Sequence, residues 1–129
     1  MSIQDRQGNY QKYNSDGSTP VVVVGSLAKL LDGVSTTGAG TPVAVNSYKN
    51  YVFEVWGTAT ALDIKIQAIG PSGVARNLKI WDELNNVYLT GDITVAGFYS
   101  VSTPAFTNIQ ANVVSVSGGS VNAEGGLTS

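Results

Sequence analysis

The alternation of side chains in residues 109–116 constrains the fold more than any other feature of this sequence. Ile109, Ala111 and Val113 lie two residues apart, and polar residues lie between them. Side chains at this spacing point to the same face of a β-strand. The segment therefore predicts a strand with one buried face and one wetter face.

A glycine pair follows this strand in the turn Ser117–Ser120. Gly118 and Gly119 can adopt the positive φ that a tight hairpin turn needs, and Val121 then begins a returning strand. Residues 98–101, which are aromatic and β-branched, predict a further strand upstream. We therefore expect three antiparallel strands here, and we expect the glycine turn to be structural.

A second pair of alternating segments, residues 51–56 and 62–67, predicts a central hairpin joined by residues 57–61. In this hairpin Ile66 and Ala68 face inward. The outward-facing Glu54 and Lys65 are then placed to form an ion pair across the strands, which contributes only about 0.2–1 kcal/mol when exposed.

Two segments near the N-terminus do not alternate. Val21–Val24 is uniformly apolar, which predicts a strand buried on both faces or one covered by partners in an assembly. Residues 26–33 predict the single short helix of the chain, with Ser26 as its N-cap and Gly33 in the left-handed position at its end.

The chain has 129 residues, of which 43% are hydrophobic, enough for one domain with a real core. Its short strands, separated by turns every eight to twelve residues, predict an all-β fold. We expect a single antiparallel β-sandwich of roughly eight to ten short strands with at most one short helix. Residues 20–129 form this domain, and the polar residues 1–19 form a flexible or partner-ordered arm.

An oligomer interface is predicted at the arm and at the first strand, where aromatic and apolar residues exceed what a small sandwich buries. The candidate interface residues are Tyr10, Tyr13, Val21, Val22, Val23 and Val24. Only 12% of the residues are charged, so large uncharged surfaces can form an interface without burying unpaired charges.

Composition excludes several kinds of chemistry. The chain contains no Cys and no His, and it therefore lacks a thiol nucleophile, the commonest general base and the commonest zinc ligand. Its seven basic residues are scattered and the net charge is −2, so we expect no nucleic-acid partner. The N-terminus has no apolar signal region, and no segment is long enough to span a membrane. We expect a cytoplasmic protein that leaves the cell only by lysis or in a particle.

Carboxylates offer two candidate sites, neither of which is specific. Asp82 and Glu83 precede two asparagines, but their spacing does not match a dedicated calcium loop, so we expect no metal and no cofactor. Glu54 and Asp63 both lie on the central hairpin, as a pair of glycosidase carboxylates would. Their alternation places both on the solvent face, where surface charge is the ordinary interpretation.

Exposed aromatic side chains on a β-sandwich suggest sugar binding. The candidates are Trp56, Trp81, Tyr88 and Tyr99. Trp56 shares a face with Glu54, so we expect it to be partly exposed. Burial in a core or in a subunit interface is the more frequent role of such residues.

Four segments in a fixed order resemble a family of phage proteins. They are Gly33–Gly40 with its Thr-Gly-Ala-Gly loop, Tyr48–Val55, Ala96–Val101, and Ile109–Val121 with its Ser-Gly-Gly-Ser-Val turn. This series is similar to the XepA and YomS group of lytic-type β-sandwich proteins of Bacillus prophages, and in particular to its single-sandwich form. The resemblance covers about residues 25 to 123.

This resemblance implies a non-enzymatic prophage protein that assembles into a ring-like homo-oligomer, a pentamer in this group, and that is associated with host-cell lysis. Other phage proteins or the cell envelope are further partners. The group offers no catalytic residues to carry over. The alternatives are a virion structural protein, such as a head decoration or tail accessory protein, and a carbohydrate-binding module for the cell wall.

We expect the purified protein to release neither reducing ends nor free amines from peptidoglycan, because it has no His, no Cys and no paired-carboxylate motif. Assays of both products on isolated cell wall check this. Hydrolysis that is lost in Glu54→Gln or Asp63→Asn would overturn the expectation.

Overall fold

The computed structural model of this chain describes residues 24–45, 48–104 and 106–129. Within these ranges all regular structure is β-strand, and no helix is present. The strands are β1 (Val24–Val34), β2 (Gly38–Ala39), β3 (Val43–Ala44), β4 (Asn50–Gly57), β5 (Ala61–Ile69), β6 (Ala75–Asn77), β7 (Trp81–Asp82), β8 (Val87–Tyr88), β9 (Gly97–Ser102), β10 (Asn108–Ser117) and β11 (Val121–Thr128).

The strands form two antiparallel sheets that share one core. The six-stranded sheet has the order β1-β11-β4-β9-β7-β8, and the five-stranded sheet has the order β2-β10-β5-β6, with β3 also paired to β10. The predicted all-β sandwich is confirmed. Its eleven strands exceed the expected eight to ten, and four of them, β2, β3, β7 and β8, are only two residues long. Such short strands leave no period in a sequence.

The core is built from the side chains that alternation places inward. Tyr51 and Phe53 of β4 are at most 1% exposed, and Ile64 and Ile66 of β5 are fully buried. The rings of Tyr51 and Phe53 stack with their centroids 4.9 Å apart. Burying a side chain of this size stabilises the fold by about 1.5–3 kcal/mol.

A buried tyrosine also connects two strands that are not neighbours. The hydroxyl of Tyr51 donates a hydrogen bond of 2.7 Å to the carbonyl oxygen of Ala28 in β1, across the intervening β11. Burial raises the pKa of this hydroxyl well above its ordinary value, so it remains a neutral donor.

Two chain crossings between the sheets lie side by side at one end of the sandwich. Residues 57–61 lead from β4 to β5, and residues 117–120 lead from β10 to β11. The backbone amides of Thr58 and Ala59 both donate to the carbonyl oxygen of Ser120, at 3.0 Å each. The two crossings therefore hold each other in place.

Both predicted hairpins are wrong in their pairing, although their strands are present. β4 and β5 lie in different sheets, and so do β10 and β11. Alternation shows which face of a strand is buried. Two strands that pair edge to edge and two strands that face each other across a core have the same alternation, so the pattern does not distinguish these arrangements. The predicted ion pair of Glu54 with Lys65 is also wrong, because the ammonium of Lys65 lies 3.0 Å from Asp92.

The structural role predicted for the glycine pair agrees with its geometry. Gly118 and Gly119 have φ values of 75° and 153°. A Cβ atom on Gly119 would lie 2.5 Å from the hydroxyl oxygen of Thr58, and one on Gly118 would overlap the side chain of Thr60. The glycines are thus needed both for their backbone conformation and for the close approach of the other crossing.

The predicted helix at residues 26–33 is wrong, because this segment lies within β1. Ala28 and Leu30 are buried and alternate with exposed neighbours, but Leu31 is buried too because the pairing of β1 with β11 shifts register between Lys29 and Leu31. The helix prediction used Ser26 and Gly33 as local end signals, which do not reveal a long-range strand partner. Pairing with β11 decides the conformation.

The domain boundaries predicted near the N-terminus are not tested. The arm at residues 1–19 lies outside the described residues, and so do residues 20–23.

A carboxyl pair joins β5 to the loop before Ile93. Asp63 and Asp92 share a hydrogen bond, which together with partial burial raises the pKa of Asp63. The same bond and a 3.0 Å hydrogen bond from Lys65 hold the pKa of Asp92 below its ordinary value. One oxygen of Asp63 is buried with no hydrogen-bond partner among the described residues. The backbone of Ile93 pairs with that of Ile64 beside this cluster.

Gly119→Val should destabilise the domain by about 1–3 kcal/mol, because valine resists positive φ and would collide with Thr58. Chemical denaturation followed by circular dichroism measures this loss. Gly91→Val is the matched control, because Gly91 has no atom within 4 Å of a built Cβ and no positive φ. Equal effects of the two substitutions would contradict the structural role of the turn.

Asp63→Asn should raise the melting temperature at pH 7 and change it little near pH 3, because asparagine donates the shared hydrogen bond without a charge. A carboxyl group with a raised pKa stabilises the fold below its ordinary value of 3.8, and this contribution is lost as the pH rises through the raised pKa. Thermal melts at both pH values check this. Asp32→Asn, at an exposed carboxylate, is the control, and an equal gain at both pH values would refute the explanation.

Candidate interaction surface

The solvent side of the six-stranded sheet, called the outer face here, exposes several large apolar side chains. Leu27 of β1 is 74% exposed, Val52 and Trp56 of β4 are 42% and 38% exposed, and Phe98 of β9 is 45% exposed. Leu27 and Val52 lie on either side of Gly126 of β11, which has no side chain to separate them. Exposed apolar side chains grouped in this way make the outer face a candidate interaction surface.

Two carboxylates lie opposite each other in the middle of the outer face. Glu124 of β11 pairs directly with Glu54 of β4, and Phe98 lies on the other side of Glu54. Like charges directly opposite on neighbouring strands are destabilising. Lys29 lies opposite Glu124 on β1, and its ammonium is 4.0 Å from Asp32. The outer face therefore combines apolar side chains with an acidic centre.

The interface residues predicted from the sequence are placed as follows. Tyr10, Tyr13 and Val21–Val23 lie outside the described residues. Val24 begins β1, the edge strand of the six-stranded sheet, and only its backbone is described. Trp56 lies on the outer face beside Asn122 of β11.

Sequence reasoning did not identify Leu27, Val52 and Phe98 as candidates for this surface. The alternation that placed Tyr51, Phe53 and Val55 inward also placed Val52 outward. Val52 could therefore have been identified as an exposed apolar residue from the sequence. Leu27 lies in the segment that was predicted as a helix, so no strand face was assigned to it. Phe98 lies in a predicted strand, but no neighbouring strand was identified that would show which side of the sheet it occupies.

Asp82 and its neighbours form a hydrogen-bonded turn. The Asp82 carboxylate accepts hydrogen bonds from the side-chain amide of Asn85 at 2.8 Å and from the backbone amide of Leu84 at 3.0 Å. These bonds, chiefly the one from the Asn85 side chain, lower the pKa of Asp82. Glu83 accepts a 2.7 Å bond from the hydroxyl of Ser100. In the described part of the chain no three acidic, His or Cys side chains form a metal-binding group.

Glu54 and Asp63 do not face each other across a cleft. Glu54 lies on the outer face of one sheet, whereas Asp63 lies on β5 of the other sheet, where it pairs with Asp92. The arrangement of two opposed carboxylates that glycoside hydrolysis requires is therefore not formed by this pair.

A pocket of about 360 Å³ opens beside the outer face, between β7, β8 and the ends of β4 and β9. The rings of Trp81 and Tyr88 line it edge to face, with centroids 4.8 Å apart. Tyr88 is 52% exposed. Tyr99, by contrast, is a core residue that is 2% exposed and donates its hydroxyl to the carbonyl oxygen of Val95, so its interpretation as an exposed aromatic is wrong.

Three polar residues of this pocket, Asn50, Ser100 and Ser102, were not identified from the sequence. Phe98, Ser100 and Ser102 alternate with buried Tyr99 and Val101, so period two alone places the serines on the solvent side of β9. Asn50 joins them because β4 pairs with β9 and brings it opposite Ser102. That pairing is a long-range contact that the sequence pattern does not indicate.

No segment of the described residues forms a helix that is long and apolar enough to cross a membrane.

The fold resembles two solved structures of prophage-derived Bacillus proteins. The SPBc2 prophage-derived protein YomS matches with a TM-score of 0.74 and 16% identity, over 81% of this chain and 92% of YomS. The PBSX exported protein XepA matches with a TM-score of 0.76 and 16% identity, over 100% of this chain and 47% of XepA. The chain thus spans about half of XepA. At this identity the two likenesses show the fold alone.

No curated protein matches the chain. The family model of XepA matches residues 27–127, which includes nearly all of the sandwich. The match covers far more than half of the 129 residues. It agrees with the resemblance carried by the loop, strand and turn motifs, and the chain belongs to the XepA family.

Proposed function

We propose that this chain is a non-enzymatic prophage protein that acts in host-cell lysis as a ring-like homo-oligomer. The observation that carries this proposal is the match to the XepA family over residues 27–127. The fold shared with two prophage-derived proteins supports a role in the phage life cycle. The printed description of XepA as an exported protein is consistent with action at the cell envelope.

The outer face supports assembly with a second copy of the chain. Leu27, Val52 and Phe98 are too exposed and too close together to be explained as isolated surface residues. Covering them removes apolar area from water, and the contact becomes stable when each interface buries on the order of 1,000 Å². A head-to-tail contact of one such face with a different surface of the next copy closes into a ring.

The acidic centre supports the same assembly. Glu54 and Glu124 repel each other in the isolated protomer. A neighbouring copy that places a basic side chain over this pair relieves the repulsion, and it also selects one orientation of the contact. An assembly of this kind depends on complementary surfaces and does not require a catalytic group.

The proposed non-enzymatic role is supported by the lack or the placement of the residues that a hydrolase would use. The chain has no His or Cys, and Glu54 and Asp63 belong to different sheets. Asp82 is committed to its own turn by three hydrogen bonds. The described carboxylates therefore serve local structure or surface charge.

We expect Val52→Lys to convert the oligomer to a protomer of 13.4 kDa in light scattering, because it buries a charge in the apolar interface. The matched control is Val114→Lys on β10, since Val114 is 43% exposed and Val52 is 42% exposed. The control should remain oligomeric. A wild-type protein that stays at the protomer mass when its concentration is raised tenfold would refute the ring.

Lysis itself is tested in the host by deleting the gene and following culture turbidity after prophage induction. We expect delayed or incomplete lysis, restored by the wild type and by Val114→Lys but not by Val52→Lys. Unchanged lysis, with the protein present at stoichiometric copy number in purified particles, would favour a virion structural role instead.

A further inference from the structure

The pocket beside the outer face has the size and the mixed lining of a small-molecule site. Its volume of about 360 Å³ lies within the range of about 300–1,000 Å³ that is usual for ligand pockets. It adjoins the interface proposed above, because Ser100 lies opposite Val52 and two residues from Phe98, although none of Leu27, Val52 or Phe98 lines the pocket.

One wall of the pocket is a fixed aromatic surface. Trp81 pairs through its backbone with Tyr88, and the two rings meet at 78°. The ammonium of Lys79 lies 4.4 Å from the centroid of the Tyr88 ring and covers that ring. The indole of Trp81 is then the aromatic face left for a ligand. Its negative quadrupole attracts the polarised C–H groups that a pyranose ring presents on one side.

The opposite side of the pocket is polar and almost uncharged. Ser100 and Ser102 of β9 and Asn50 of β4 present two hydroxyl groups and an amide. Asn50 and Ser102 can both donate and accept hydrogen bonds, as sugar hydroxyls do, whereas Ser100 donates its hydroxyl to Glu83 at 2.7 Å and remains an acceptor for a ligand. Lys79 is the one charged residue of the lining, and no carboxylate contributes to it. This lining suits a neutral sugar better than a cationic ligand.

The pocket also has an apolar corner, which a sugar that carries only hydroxyl groups does not complement. Leu78 and Phe106 line it there and are partly buried against the core. They also border a second pocket of about 490 Å³. A hydroxyl pressed against these side chains would lose its hydrogen bonds to water without replacement. A methyl group would gain from the same contact.

We propose that this pocket binds a 2-acetamido pyranose unit of a glycan. The pyranose ring stacks on Trp81, its hydroxyls and amide bond to Asn50, Ser100 and Ser102, and the acetyl methyl group lies against Leu78 and Phe106. The adjoining second pocket receives the next unit of the chain.

Calorimetric titration of the full chain with two tetrasaccharides tests this proposal. The probes are the β-1,4 tetramer of N-acetylglucosamine and the β-1,4 tetramer of glucose, which differ only in the acetamido group. We expect the acetylated tetramer to bind more tightly by roughly tenfold. Equal affinity for both, or no binding of the acetylated tetramer, would overturn the proposal.

Three variants locate the site. Trp81→Ala should abolish stacking, and Asn50→Ala, at an exposed position that the fold does not need, should weaken binding roughly threefold to tenfold. Trp56→Ala is the control, because Trp56 is an exposed tryptophan of the same sheet outside the pocket. Binding that is lost in Trp56→Ala and kept in Asn50→Ala would refute the assigned location.

Discussion

The contact between the two crossings at one end of the sandwich is the constraint on which the rest of the structure depends. Residues 57–61 and 117–120 each carry the chain from one sheet to the other, and hydrogen bonds to Ser120 connect them. Glycines at 118 and 119 make the approach possible. Because of these crossings, β4 and β11 become neighbours in one sheet while β5 and β10 become neighbours in the other.

The pairing of β4 with β11 creates the surface on which the proposed function rests. It brings Val52 next to Gly126 and Glu54 opposite Glu124, while β1 and β9 add Leu27 and Phe98 on either side. The inward side chains of the same strands form the core. One alternation therefore places the core on one side of the sheet and the proposed interface on the other.

The sequence predicts the buried faces of β4 and β5 well, because a side-chain period of two is a local property. Tyr51, Phe53, Ile64 and Ile66 are buried as expected. The partner of each strand is a long-range property, and for that reason both hairpins were assigned wrongly. The helix at residues 26–33 was predicted from local capping residues, whereas the pairing of β1 with β11 is long-range. The polar side of the pocket likewise depends on Asn50 meeting Ser102 across β4 and β9.

We propose that a second copy of the chain covers the outer face. The reactivity of single introduced thiols measures this burial directly. The chain has no natural cysteine, so Val52→Cys and Val114→Cys each introduce one thiol at positions of nearly equal exposure in the protomer. Rates of reaction with a maleimide are then compared for the native protein in solution. If a second copy covers the outer face, the thiol at position 52 reacts much more slowly than the thiol at position 114. Equal rates would contradict it.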